Sequence, residues 1–180
     1  TESAGTGNSF YYDPSSTPPS SVIAMPTNNT RINNIPTVSG TVTDNVLVSN
    51  VKVSLKKLTT NTYWDGFAWT ADAETWIVTS GTTNWMFTSP AYVDGLTYLI
   101  KSKATDAAGN VETPLAGSSL IFDTQTPSSV VVVPSNGAKL NALSLITGTS
   151  TDPNSGTLTN AKISIKNVSN TLYWPGSLPW

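Results

Sequence analysis

Pro19-Ser20-Ser21-Val22-Ile23-Ala24-Met25-Pro26 returns later in the chain as Pro127-Ser128-Ser129-Val130-Val131-Val132-Val133-Pro134. Each is a short β-prone run closed by a proline. The spacing is 108 residues, from Pro19 to Pro127. It holds through Gly40-Thr41-Val42-Thr43-Asp44, which matches Gly148-Thr149-Ser150-Thr151-Asp152. From there it becomes 110. Asn50-Val51-Lys52-Val53-Ser54-Leu55-Lys56 matches Asn160-Ala161-Lys162-Ile163-Ser164-Ile165-Lys166, and Tyr63-Trp64-Asp65-Gly66 matches Tyr173-Trp174-Pro175-Gly176. The two extra residues fall around Pro153 to Leu158, a turn-forming cluster that tolerates insertion. Self-similarity at a fixed period is the mark of a repeat architecture.

Extending the repeat outward accounts for both ends. Gly7-Asn8-Ser9-Phe10-Tyr11-Tyr12-Asp13 resembles Gly117-Ser118-Ser119-Leu120-Ile121-Phe122-Asp123, and Trp180 corresponds to Trp69. Residues 1–12 are therefore expected to be the last strand of a preceding repeat. Residues 13–122 form one complete repeat, and residues 123–180 the first half of the next. The natural polypeptide is expected to extend on both sides.

Alternation within the repeat predicts strands throughout and no helix. Val51, Val53 and Leu55 share one phase of a strand from Asn50 to Leu58, and Ala161, Ile163 and Ile165 repeat it. Further strands are expected over Ser21–Met25, Pro36–Thr43, Phe67–Thr70, Trp76–Ser80, Asn84–Thr88, Leu96–Thr105 and Ser118–Phe122. Seven or eight strands in about 100 residues is the count of an immunoglobulin-type antiparallel sandwich. Asp94-Gly95-Leu96-Thr97-Tyr98 fits the tyrosine corner of such folds, in which the tyrosine bonds back to the backbone upstream.

Composition narrows the function classes. The chain has 180 residues, of which 38% are hydrophobic and 11% charged. The charged share is less than half the usual ~25%. Ser, Thr and Asn supply the polarity. Net charge is −2 and no basic run is present, so the electrostatic footprint for nucleic acid is missing. No apolar run has the ~18–20 residues needed to span a bilayer. With no Cys and no His, the chain has no disulfide, thiolate nucleophile, Cys/His zinc site or Ser-His-Asp triad.

Ala104-Thr105-Asp106-Ala107-Ala108-Gly109-Asn110-Val111-Glu112 resembles the late loop of bacterial Ig-like repeats. Phe122-Asp123-Thr124-Gln125-Thr126-Pro127 resembles their junction, and Thr41-Val42-Thr43-Asp44-Asn45 their turn after the second strand. Tyr63-Trp64-Asp65-Gly66 with Trp69, Trp76 and Trp85 is similar to a tryptophan-bearing subtype. The resemblance implies tandem repeats of a large extracellular or cell-surface protein acting as stalk, spacer or adhesive segment, or beside a secreted catalytic domain. The partners it implies are neighbouring repeats of the same polypeptide, lateral copies or a surface glycan.

Trp64, Trp69, Trp76 and Trp85 have two readings: a carbohydrate-stacking platform, or core filling. Trp64 and Trp69 recur as Trp174 and Trp180, which favours the structural role. Asp44, Asp106 and Asp123 lie in turns that the topology could gather at one end of the domain. There they could ligate an interdomain calcium ion, or simply hydrogen-bond their own turns. Asp72 and Glu74 have the residue types of a hydrolytic dyad but read as a solvated turn. Lys52, Lys56, Lys101 and Lys103 fall on the outward phase, as a solvated face. Asn28-Asn29-Thr30 and Asn167-Val168-Ser169 match the glycosylation pattern.

Overall fold

Strict alternation makes Val48–Lys57 a strand with two faces. Val51, Val53 and Leu55 are fully buried, while Lys52 and Lys56 remain partly exposed. Thr97–Asp106 alternates in the same way, with Tyr98, Ile100 and Ala104 buried. Pairing these two long strands creates one apolar face that must be covered, and a second sheet covers it.

The computed structural model describes residues 7, 12, 16–153 and 156–176. It is all-β: β1 (Ser20–Met25), β2 (Thr30–Ile32), β3 (Thr37–Thr43), β4 (Val48–Lys57), β5 (Thr62–Tyr63), β6 (Ile77–Val78), β7 (Asn84–Thr88), β8 (Thr97–Asp106), β9 (Ser118–Phe122), β10 (Ser128–Val133) and β11 (Thr147–Thr151). The chain divides into two units, Thr1–Thr124 and Gln125–Trp180. Residues 1–12, apart from positions 7 and 12, and Trp180 lie outside the described residues.

In the first unit, one sheet has the order β1-β3-β7. The other has the order β2-β9-β8-β4-β5, with β6 also on β4. The pairings are antiparallel except β2 with β9, which is parallel. Val38, Val42 and Trp85 from the first sheet meet Val51, Val53, Leu55, Tyr98, Ile100 and Leu120 from the second. This is a two-sheet β-sandwich with its core between the sheets.

Gly40 is required at the centre of β3. A Cβ there would lie 2.0 Å from the Val22 carbonyl oxygen and 2.4 Å from the Trp85 ring. The indole lies against the bare backbone, and its Nε1–H donates to the Thr41 carbonyl at 3.3 Å.

In the second unit, β10 and β11 repeat the β1–β3 pairing residue for residue. Ser128 faces Thr151, Val130 faces Thr149 and Val131 faces Gly148, with a bulge between Val131 and Val133. In β1–β3, Ser20 faces Thr43, Val22 faces Thr41 and Ile23 faces Gly40, with a bulge between Ile23 and Met25. Lys166 bridges to Tyr173 as Lys56 pairs with Tyr63.

Some expectations need correction. Asn160–Lys166 is not a strand apart from the Lys166 bridge, and Ile163 is 55% exposed. Its counterpart β4 is held by β8 on one side and by β5 and β6 on the other; among the described residues this segment has no such partners. Phe67–Thr70 is irregular as well. Asp65 accepts the N–H groups of Phe67 and Ala68 at 2.8 and 2.7 Å and the Thr70 hydroxyl at 2.9 Å, which winds the segment into a side-chain-capped turn. Strands β2 and β5 were not expected from the sequence.

Candidate functional site

The tryptophan region grows from the β5 hairpin. The Trp64 N–H donates to the Leu55 carbonyl at 3.0 Å, fixing the chain against the end of β4. The Asp65-capped turn then brings Trp69 back beside Trp64, with ring centroids 5.4 Å apart. Trp69 also packs on Tyr98 at 5.0 Å and Tyr92 at 5.9 Å, and Tyr92 meets Tyr98 edge-on at 4.7 Å and Phe122 at 5.6 Å. The Trp69 Nε1–H donates to the Ala91 carbonyl at 3.0 Å. Aromatic contacts of this kind add stability beyond area burial. The cluster seals one end of the sandwich.

The four tryptophans are therefore not one platform. Trp64 and Trp69 pack together against the core. Trp85 is 1% exposed and sits between the sheets. Trp76 is half-buried on the outer side of the larger sheet, with the Lys103 ammonium 4.1 Å from its ring centroid. Lys57 lies similarly over Trp69 at 5.6 Å, and Lys56 over Tyr63 at 5.2 Å. Tyr92 and Phe122 belong to the cluster but went unassigned in the sequence. Tyr92 lies in an irregular stretch with no periodicity, so its aromatic type was the only signal.

Burial pushes the Tyr92 phenol up to about 12 from 10.0. It raises Tyr98 as well, against the opposing effect of the Val93 N–H, which donates to the Tyr98 hydroxyl at 2.8 Å. That bond reaches five residues upstream, as a tyrosine corner requires.

The three turn aspartates do not come together in the first unit. Asp44 and Asp106 lie at one end: Val48 pairs with Asp106, and the Ala107 N–H donates to the Leu47 carbonyl at 2.7 Å. Asp123 follows β9, whose end pairs with Thr97 at the opposite end of β8. The length of β8 separates them, roughly 30 Å at ~3.3 Å per residue. The expectation of one shared end therefore fails, because β8 and β9 run antiparallel.

Each aspartate has its own surroundings. Asp123 lies 3.7 Å from the Arg31 guanidinium. Asp106 accepts the Asn110 backbone N–H and side-chain amide, each at 2.8 Å. Burial pushes the Asp106 carboxyl up, but the Asn110 bonds together with the Gly109 and Ala108 backbone N–H groups outweigh it and hold the pKa below the ordinary value. Asp44 differs: both its carboxylate oxygens are buried without a hydrogen-bond partner among the described residues, and so is Oδ1 of Asp152, its counterpart in the second unit. A calcium ion takes six to eight oxygens. Among the described residues, no group of three or more His, Cys, Asp or Glu is placed to hold a metal. Asp44 and Asp152 are the side chains of this set with oxygens free for a cation.

Glu112, also unassigned in the sequence, is 7% exposed. One carboxylate oxygen accepts the Ser21 N–H at 2.8 Å and the other the Ala104 N–H at 2.9 Å, tying β1 of one sheet to β8 of the other. Asp72 is exposed, and Glu74 pairs with Lys101 at 3.2 Å. No helix among the described residues is long and apolar enough to cross a membrane. No protein-family model matches this chain, and a search of curated proteins finds no relative.

Proposed function

We propose that the chain is part of a tandem array of bacterial Ig-like repeats, serving as a spacer or stalk of an extracellular or cell-surface protein. The observation that carries this reading is the pairing of β10–β11 in the same register, and with the same bulge, as β1–β3. The strand orders β1-β3-β7 and β2-β9-β8-β4-β5 fit an immunoglobulin-type sandwich. The Tyr98–Val93 bond supports the same assignment.

The role is mechanical rather than catalytic. Trp85, the cluster of Trp64, Trp69, Tyr92, Tyr98 and Phe122, and Glu112 serve the core and the join between the sheets, and Asp65 and Asp106 fix turns. A repeat that buries its own core transmits load to the next through a short connection, and the Asp123 to Pro127 junction has that length. Lateral assembly and adhesion are compatible with this role. So is a place beside a catalytic domain.

Stretching single full-length molecules between two tethers tests the reading. The first unit should resist and then open in one step. Its roughly 110 residues at about 3.4 Å each would release a contour of about 37 nm. Smooth extension without a force peak would contradict the spacer role.

A further inference from the structure

The outer face of the larger sheet carries a concentration of positive charge that the spacer role leaves unused. All five lysines between residues 16 and 124 lie on β4 and β8. Four of them share the outward face. Lys52 stands directly opposite Lys103, Ser54 opposite Lys101, and Lys56 opposite Leu99. Lys52 and Lys56 are about 13 Å apart along the strand, and Lys101 and Lys103 about 7 Å.

Like charges directly opposite on a sheet repel and destabilise it. Among the described residues, Lys52, Lys56 and Lys103 make no ion pair, while Lys101 pairs with Glu74 at 3.2 Å. The pattern also recurs. In the sequence repeat Lys162 and Lys166 correspond to Lys52 and Lys56, and Lys166 lies over Tyr173 at 5.5 Å as Lys56 lies over Tyr63 at 5.2 Å.

We propose that the outward β4–β8 face, through Lys52, Lys56, Lys101 and Lys103, binds an anionic polysaccharide bearing carboxylates. A shallow pocket of about 50 Å³ is lined by Lys56, Tyr63, Glu74 and Lys101, and at its wall the Glu74 carboxylate lies 3.2 Å from the Lys101 ammonium. It admits a carboxylate but not a sugar ring, so the rings of the polymer would lie across the face while their carboxylates reach the ammonium groups. Recurrence of the lysines in the second unit suits a polymer with repeating charge.

Other polyanions fit less well. Lysine ammoniums lie over Trp76 and Tyr63, so these two rings are already engaged by cations and offer less open face for stacking nucleic-acid bases. A second copy of the chain offers few uncommitted carboxylates. Asp65 caps its own turn, Asp94 accepts the Thr124 N–H and hydroxyl, Asp123 faces Arg31, and Glu112 is buried. This binding surface does not depend on the spacer role.

The test uses the full chain with polygalacturonate as probe, neutral dextran and a DNA duplex as comparisons, and calorimetric or surface binding. Polygalacturonate should bind at about 20 mM salt and weaken about tenfold or more at about 300 mM, while dextran does not bind. The double variant Lys52→Gln/Lys103→Gln should still fold, since relief of the Lys52–Lys103 repulsion offsets loss of the Lys103–Trp76 contact, yet bind about tenfold more weakly. Glu74→Gln, which removes the competing carboxylate, should bind more tightly than the parent. No binding at low salt, binding unchanged in the folded double variant, or DNA binding as tight as that of polygalacturonate would each overturn the proposal.

Discussion

Individual residues carry much of the specificity of this sandwich. Gly40 is the clearest case, since the Trp85 indole and the Val22 carbonyl occupy the space of any Cβ. Gly40→Ala should lower stability by about 3 kcal/mol, the upper range for overpacking a well-filled core, as read from the urea midpoint. Tyr92 gives a titratable signature. Burial pushes its pKa up to about 12 in the folded state, above the ordinary tyrosine value of 10.0. The folded state therefore keeps its proton where the unfolded chain has lost it. Stability should hold below pH 10 and fall by about 2 kcal/mol as pH rises towards 12. Absorbance near 295 nm during alkaline titration, followed together with melting temperature, checks both parts; a Tyr92→Phe variant should lose this component of the alkaline decline.

Between elements, polar links decide how the two sheets are held in register. Glu112 joins β1 to β8 through two backbone N–H groups in a buried setting. Glu112→Gln keeps the shape but presents an amide where two donors need acceptors. A loss of about 2 kcal/mol is expected, with faster amide exchange at Ser21 and Ala104 as the local readout. The same scale explains what was legible in the sequence. Strands β3, β4, β7, β8 and β9 have clean alternation, because one face of each meets the core. Strand β2 is three residues long, and its pairing with β9 is non-local, so no periodicity marks it. Phe67–Thr70 looked like a strand because its composition is β-prone; the Asp65 cap, a single side chain, overrides that. Of the candidate site residues, the tryptophans could be named from sequence, but their separation into a sealing cluster, the buried Trp85 and the outward Trp76 depends on strand pairings. The aspartates failed as a group because the sense of β9 relative to β8 decides which end each turn occupies.

At the scale of the whole molecule, β10–β11 in the second unit pair in the register of β1–β3 in the first, as the proposed repeat requires. The first has both sheets and a closed core. The second has β10–β11 in the matching register, with Val130, Val131, Val132 and Val133 between 41% and 63% exposed. On the repeat reading, the pairing is encoded locally by Pro-bounded runs and the Gly40 and Gly148 positions, while in the first unit burial of that pairing depends on the sheet β2-β9-β8-β4-β5 packing against it. Native-state amide hydrogen exchange on the full chain is the most direct test of that claim. The amides of β4 and β8 should be the slowest and exchange together, as a shared core requires. Residues 128–133 should exchange faster, but with the protected positions alternating in the same phase as in 20–25. Protection in 128–133 that is absent or in the opposite phase, or β4 and β8 amides exchanging as fast as the loops, would contradict the account.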